Sequence, residues 1–419
     1  MFFTKNCIVY LKELTNGEGN AKIYYKRTKE MVVTTKHTGK NLQELRKSNK
    51  KAIVRLLRKK ELSGKELADS LHLSPAGIQG LIDEMMADGL LLKRDAQTVV
   101  RGRRPINICI NPNIGVVVYV TFGSSRGYEV RVCDFNAQVL ESVQRGLSDG
   151  DDGVALLIED IKNAVSKTGA ELFAIAFSTA GKVHKETGAY SFSPNMGKYV
   201  NVQFKSVLED AFGVGVVVKN SIIYSLAAER KFHEGLNMQN GIYVKDLGCA
   251  LCIEGRIYEG ANGFAGELGI VSIDVYGATH EREYYNPYRS NYLMSMYAGL
   301  GEAIWKYSRG ALPKNTSHTQ AFQLYNEGSL LVKEPVEQFL RVYGVTLRNM
   351  VEFMDLEYVV VAGAMSELND EGLAFLTQNI NESIHDTLHV QVVRADPKCT
   401  EFKGAFEYAM DIAFNKILG

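Results

Sequence analysis

The sequence predicts an α/β protein of two lobes, preceded by a small helical module that ends in a β-hairpin. Three observations carry this. Residues 62–94, LSGKELADSLHLSPAGIQGLIDEMMADGLLLKR, hold two consecutive helix-start signals followed by a strand. From Gly115 onward, strand-like apolar runs alternate with helical stretches twice over, as sheets covered by helices require. The charge divides in the same place. Residues 40–105 carry 15 Lys and Arg against 8 Asp and Glu, whereas the 419-residue chain is neutral, so the remainder is acidic.

Taken in order, residues 1–39 are expected to form a poorly ordered extension. Residues 1–30 lack periodicity and fit translation from an upstream start. A first helix is expected over about residues 42–60, with Leu45, Ile53, Leu56 and Leu57 facing in. Ser63 and Glu66 form the S-x-x-E pattern in which hydroxyl and carboxylate satisfy each other's backbone amides. Leu67 and Leu71 supply an apolar face, and Leu73 closes the turn. Ser74 followed by Pro75 is a second start, and Ile78, Leu81, Ile82 and Met85 keep helical spacing up to Gly89. LLLKR and INICI (106–110) then read as two strands around the basic turn TVVRGRRP.

That layout is a winged helix-turn-helix over residues 40–112, whose usual partner is a DNA duplex. The candidate DNA contacts are Lys65, Ser74 and Gln79 on the helices and Arg101, Arg103 and Arg104 in the wing, where guanidinium groups reach phosphates or the minor groove. Pro75, Ala76, Gly77 and Gly80 offer no side-chain hydrogen bonds, so Gln79 is the main base-reading group and much of the affinity falls to the wing.

In the body, GVVVYVTFG and YEVRVCDF predict a hairpin turning at Gly123–Gly127, followed by a helix over 151–168. ELFAIAFSTAG and GVGVVVKN predict buried strands, the second running into a helix over 222–231. GIYVKDLGCALCIEGRIYEG predicts two strands with a turn at Glu254 and Gly255. Helices dominate 292–354, EYVVVAGAMS and VQVVRA predict strands, and a last helix is expected over 404–417. Six scattered cysteines fit reduced thiols, and neither a transmembrane run nor a secretory signal is present, which predicts a cytoplasmic protein without a membrane partner.

The segments STAGKVHKETGAYSFSPN, NSIIYSLAAE, GRIYEGANGFAGELG and VVVAGAMS, following the helix-turn-helix and the wing RGRRP, resemble the ROK family (repressors, open reading frames and sugar kinases), in its xylose-repressor-like transcriptional branch. The resemblance covers about residues 40–419 and is most specific in GANGFAGELG (260–269). It implies an actin-like (ribonuclease H-like) fold over 113–419, with one lobe at about 113–235 plus the C-terminal helix, a second lobe at about 236–403, and a homodimer or tetramer.

The resemblance also implies what is missing. The family's kinases use the aspartate of an Asn-Asp pair as base; here the pair is Asn220–Ser221, and a hydroxyl needs activation to serve as a base. The first phosphate loop reads TFGSS, with Thr121 at the acidic position. The second reads DLGCA, with Gly248 alone matching and Cys249 in place of a hydroxyl. In the VVVAGAMS loop, Ala364 and Met365 replace smaller residues. The family's zinc-binding His falls at Ile270, and no cysteine follows in 275–292. Cys249 and Cys252 form C-x-x-C without a second pair.

These departures predict no catalytic residue, no metal and no cofactor. Asn195, Asn220 and Glu267 match positions that contact sugar hydroxyls, so they are the candidate effector-binding residues for a sugar or sugar phosphate. Tyr190, Phe192 and Tyr199 are assigned to core packing. The expected function is a repressor that binds operator DNA, its body a non-catalytic sensor. The alternative is an ATP-dependent sugar kinase with an appended DNA-binding module.

Overall fold

A computed structural model describes residues 39–95, 106–123, 127–192, 199, 201–273, 292–382 and 389–419. The N-terminal region holds α1 (Gly39–Leu57), β1 (Leu62–Ser63), α2 (Gly64–Leu71), α3 (Pro75–Ala87), β2 (Leu91–Asp95) and β3 (Ile106–Ile110). The three strands form an antiparallel sheet in the order β1-β3-β2. Both helix-start signals act as read. The Ser63 hydroxyl accepts from the Glu66 N–H at 3.3 Å, while Glu66 accepts from the Ser63 N–H at 2.8 Å. Such a cap contributes about 1 kcal/mol. Ile53, Val54 and Leu57 meet Leu67, Ile78, Ile82 and Met85 in one core. Leu45 does not face in; it is 46 % exposed, because the buried seam of α1 is confined to its C-terminal half.

The body contains two five-stranded sheets of the same design. The first is built from β4 (Val116–Gly123), β5 (Gly127–Asp134), β6 (Val139–Arg145), β7 (Leu172–Thr179) and β10 (Gly215–Asn220); the short hairpin β8 (Lys182–Val183) and β9 (Tyr190–Phe192) lies outside it. The second comprises β11 (Gly241–Lys245), β12 (Gly248–Ile253), β13 (Arg256–Tyr258), β14 (Tyr358–Ala362) and β15 (Gln391–Arg394). In each, three antiparallel strands are followed by two strands added in parallel, and the spatial order is third, second, first, fourth, fifth. This repeated sheet is what an actin-like body requires.

Alternation along the strands divides the cores. Val116, Val118, Val120 and Phe122 of β4 pack beneath α4 (Gly153–Thr168) and α5 (Phe204–Phe212), whereas Val117 and Tyr119 face the opposite side. In the second sheet, Ile242, Val244, Val359 and Val361 face α7 (Leu293–Tyr307), α8 (His318–Asn326), α9 (Leu330–Met354) and α10 (Asp370–Asn381). Two helices lie where the sheets approach each other. α6 (Ser221–Phe232) touches strands of both, and α11 (Glu401–Ile417) packs along α6 and on β4, β7 and β10. α11 starts three residues before the expected Gly404, because Thr400 caps it by accepting from the Lys403 N–H at 3.4 Å.

Candidate ligand cleft and N-terminal module

The cleft is organised by the start of α6. Asn220 ends β10 and caps the helix: its Oδ1 accepts from the Ile222 N–H at 2.9 Å, and its Nδ2 donates to the Gly181 carbonyl at 2.7 Å. Only one amide hydrogen of Asn220 is left for a ligand. Asn220, Ser221 and Glu267 line one cavity of about 190 Å³ with Gly181, Gly248 and Cys249. The Lys182 ammonium lies 3.9 Å from the Glu267 carboxylate. Burial raises the Glu267 carboxyl above its ordinary value, and Lys182 opposes that shift. The structure therefore brings Asn220 and Glu267 together, while Asn195 lies outside the described residues. Lys182 carried no sequence signal, because its relevance depends on the β8 turn that faces residues 259–266.

The floor of this cavity is the loop 260–269, fastened to the β11–β12 turn. The Cys249 N–H donates to the Gly266 carbonyl at 3.0 Å, and the Gly269 N–H donates to the Leu247 carbonyl at 2.9 Å. Gly266 has φ +97°, and a Cβ there would lie 1.9 Å from the Cys249 carbonyl oxygen, so only glycine permits this approach. Above the turn, a Cβ on Gly248 would lie 2.1 Å from the Ile222 Cδ1 methyl. Asp246 accepts from the Tyr297 hydroxyl at 2.8 Å and from the Ala364 N–H at 3.3 Å, which binds the 363–367 loop to the same turn. The Met365 side chain is buried in the core rather than turned to the cleft. A phosphate cradle needs unpaired amides pointing into open space. Here the Cys249 amide is paired with Gly266 and the Ile222 methyl group lies against Gly248.

A second cavity, of about 330 Å³, is lined by Thr121, Gly123, Ser178, Thr179, Ser221 and Glu401. Glu401, in the first turn of α11, accepts from the Tyr119 hydroxyl at 2.8 Å and from the Ser178 hydroxyl. A carboxylate facing the first loop disfavours an anion there. Glu401 was missed in the sequence because the helix was placed three residues too late.

The family's zinc-binding His is replaced here by an isoleucine. Ile270 is 51 % exposed at the His position. Cys249 and Cys252 sit three residues apart on β12 and enter different cores, so their thiols do not converge. Burial pushes the Cys249 thiol up to about 12. Among the described residues, no group of three His, Cys, Asp or Glu side chains is placed to hold a metal ion. Tyr190 and Tyr199 are buried in the core; nothing is described for the Phe192 side chain.

In the N-terminal module, Lys65, Ser74 and Gln79 are exposed. The Ser74 hydroxyl caps α3 by accepting from the Gly77 N–H at 3.1 Å. Gln79 donates to Asp83 at 2.7 Å, which leaves its second amide hydrogen and its Oε1 for another partner. Arg101, Arg103 and Arg104 lie outside the described residues. Among the described residues, no helix is long and apolar enough to cross a membrane.

Comparison with known proteins adds three likenesses. The chain is 23 % identical to the xylose repressor of Caldicellulosiruptor bescii over 81 % of its own length and 88 % of that protein. It is 23 % identical to the DNA-binding transcriptional dual regulator NagC of Escherichia coli K12, over 90 % and 96 %. Its fold matches the crystal structure of a ROK family transcriptional regulator, a homologue of the E. coli MLC protein, with a TM-score of 0.70 at 19 % identity, covering 89 % of this chain and 98 % of that one. The ROK family model matches residues 126–406, which hold the second sheet, the first sheet apart from β4, and the cavity of Asn220 and Glu267, and the chain belongs to the ROK family.

Proposed function

We propose that this chain is a DNA-binding transcriptional regulator, a repressor, whose ROK body senses a sugar-like effector and performs no phosphoryl transfer. The observation that carries the reading is the pairing of an N-terminal helix–turn–helix segment with a ROK body in one chain that aligns along 88 % of one repressor and 96 % of one dual regulator. In this reading residues 40–112 are a winged helix-turn-helix DNA-binding domain, residues 113–419 the actin-like domain, and residues 1–39 an extension. Lys65, Ser74, Gln79, Arg101, Arg103 and Arg104 contact DNA. The protein works in the cytoplasm as a homodimer or tetramer, because two half-sites demand two modules.

Asn220 and Glu267, which share one cavity, with Asn195, hold the hydroxyls of a sugar or sugar phosphate in the cleft. The kinase alternative is disfavoured by Ser221 at the base position, the paired Cys249 amide and the Glu401 carboxylate at the first loop. Genome-wide mapping of bound DNA tests the proposal. It is expected to return discrete sites beside genes of carbohydrate metabolism. Enrichment no higher than that of an Arg101→Ala/Arg103→Ala/Arg104→Ala variant contradicts it.

A further inference from the structure

A second concave site lies away from the cavity of Asn220 and Glu267. It is a cavity of about 690 Å³ between the C-terminal half of α1 and the paired helices α6 and α11. Small-molecule sites fall at about 300 to 1,000 Å³, well below what a duplex occupies. Five cationic side chains line it: Arg55, Arg58 and Lys59 from α1, and Arg230 and Lys231 from the end of α6. Two carboxylates, Glu407 and Asp411 of α11, face the same space.

The two acids do not satisfy the five cations. Arg58 spends its two terminal nitrogens on Glu407 and Asp411, and Lys231 also pairs with Glu407. The Nε of Arg58 and the Nε of Arg230 are both buried and have no hydrogen-bond partner. The Arg58 side chain is only 8 % exposed. Burial and the neighbouring Arg58 charge hold the Lys231 ammonium below its ordinary value, the mark of a crowded cationic site. A buried guanidinium with an unmade hydrogen bond favours an acceptor of opposite charge. Tyr408 and Ile257 add a partly apolar wall for the body of a ligand.

We propose that this cavity is a second ligand site, specific for a small phosphoryl-rich anion, held by Arg58, Lys59, Arg230 and Lys231 at the junction of α1 with α6 and α11. It is separate from the cavity that holds Asn220 and Glu267, and it stands whether or not that cleft takes a sugar. Its ligand joins α1 to the helix that starts at Ser221 and to the helix that starts at Glu401. It is thereby placed to fix the N-terminal helices against the body.

Isothermal titration of the full-length, DNA-free protein with inorganic pyrophosphate, at constant ionic strength, tests this. Wild type is expected to bind about one pyrophosphate per chain. Lys59→Gln/Arg230→Gln is expected to weaken binding about tenfold or more. Lys306→Gln/Lys333→Gln removes the same charge from the other lobe and is expected to bind as wild type. Asp411→Asn, at an exposed carboxylate, is expected to bind more tightly. Circular dichroism checks that each variant folds. No saturable binding to wild type, equal weakening in both double variants, or an Asp411→Asn affinity no better than wild type overturns the proposal.

Discussion

The Cys249 N–H donates to the Gly266 carbonyl at 3.0 Å, and that bond closes the turn where a ROK kinase would hold phosphate. In the proposed reading, phosphoryl transfer is opposed by this backbone as well as by Ser221. Restoring the carboxylate alone should not restore the reaction, because phosphoryl transfer depends on positioning and electrostatic stabilisation of the phosphates. Ser221→Asp is expected to show no ATP turnover above wild type in a coupled assay with sugars. Turnover in that variant would mean that the turn opens readily.

Effector binding should depend on pH through Glu267. Burial raises its carboxyl, and the carboxylate accepts hydroxyl hydrogen bonds at both oxygens whereas protonation turns one oxygen into a donor. Affinity for a sugar effector should fall as pH drops through that raised value. Lys182→Met removes the cation that opposes the shift, so the fall should move to higher pH. Titration of both proteins across acidic to neutral pH checks this, and an unchanged midpoint in Lys182→Met argues against the assignment of Glu267.

His318 stacks on Tyr297 at 3.7 Å between ring centroids, and its Nε2 lies 2.9 Å from the Tyr297 carbonyl. Burial lowers its pKa below 6.5. The folded protein thus binds this proton less readily than the unfolded chain. Stability is present above the unfolded value and is lost as pH falls from about 6.5 toward the lower folded value. His318→Gln should flatten the pH dependence of the thermal midpoint in that window, measured by scanning calorimetry.

Glu407 accepts from both Arg58 and Lys231, and its side chain is 12 % exposed. Glu407→Gln leaves Lys231 without its anion and Arg58 with Asp411 alone, and breaking a buried pair costs about 3 kcal/mol. Denaturation should show a clear loss of stability, whereas Lys416→Gln, whose partner Glu171 is 65 % exposed, should change it by less than about 1 kcal/mol.

The sequence was informative where local chemistry decides structure. The Ser63–Glu66 box and the Ser74–Pro75 start formed as read, because caps act within a few residues, and so did the apolar strands except over 241–258, where a further turn at Asp246 and Leu247 makes three strands of the expected two. It was uninformative where partners decide. β6 was missed because it is an edge strand whose residues are exposed or half-buried, so its apolar signal is weak. α5 and α10 are short and passed for connections. In the cleft, Asn220 and Glu267 stood out by type, but Lys182, Asp246 and Glu401 gain meaning only from a turn, a paired loop and a helix end that lie far away in the chain.

The most direct test of the regulator assignment is fluorescence anisotropy of the protein on DNA from upstream of its own gene, against an unrelated duplex of equal length, at physiological salt. The upstream duplex is expected to bind about 10³-fold more tightly or better. Arg101→Ala/Arg103→Ala/Arg104→Ala should abolish this and harm binding more than Gln79→Ala, and the wild-type complex should weaken when the correct sugar is added. Equal affinity for both duplexes, unchanged by the three substitutions, would contradict the assignment.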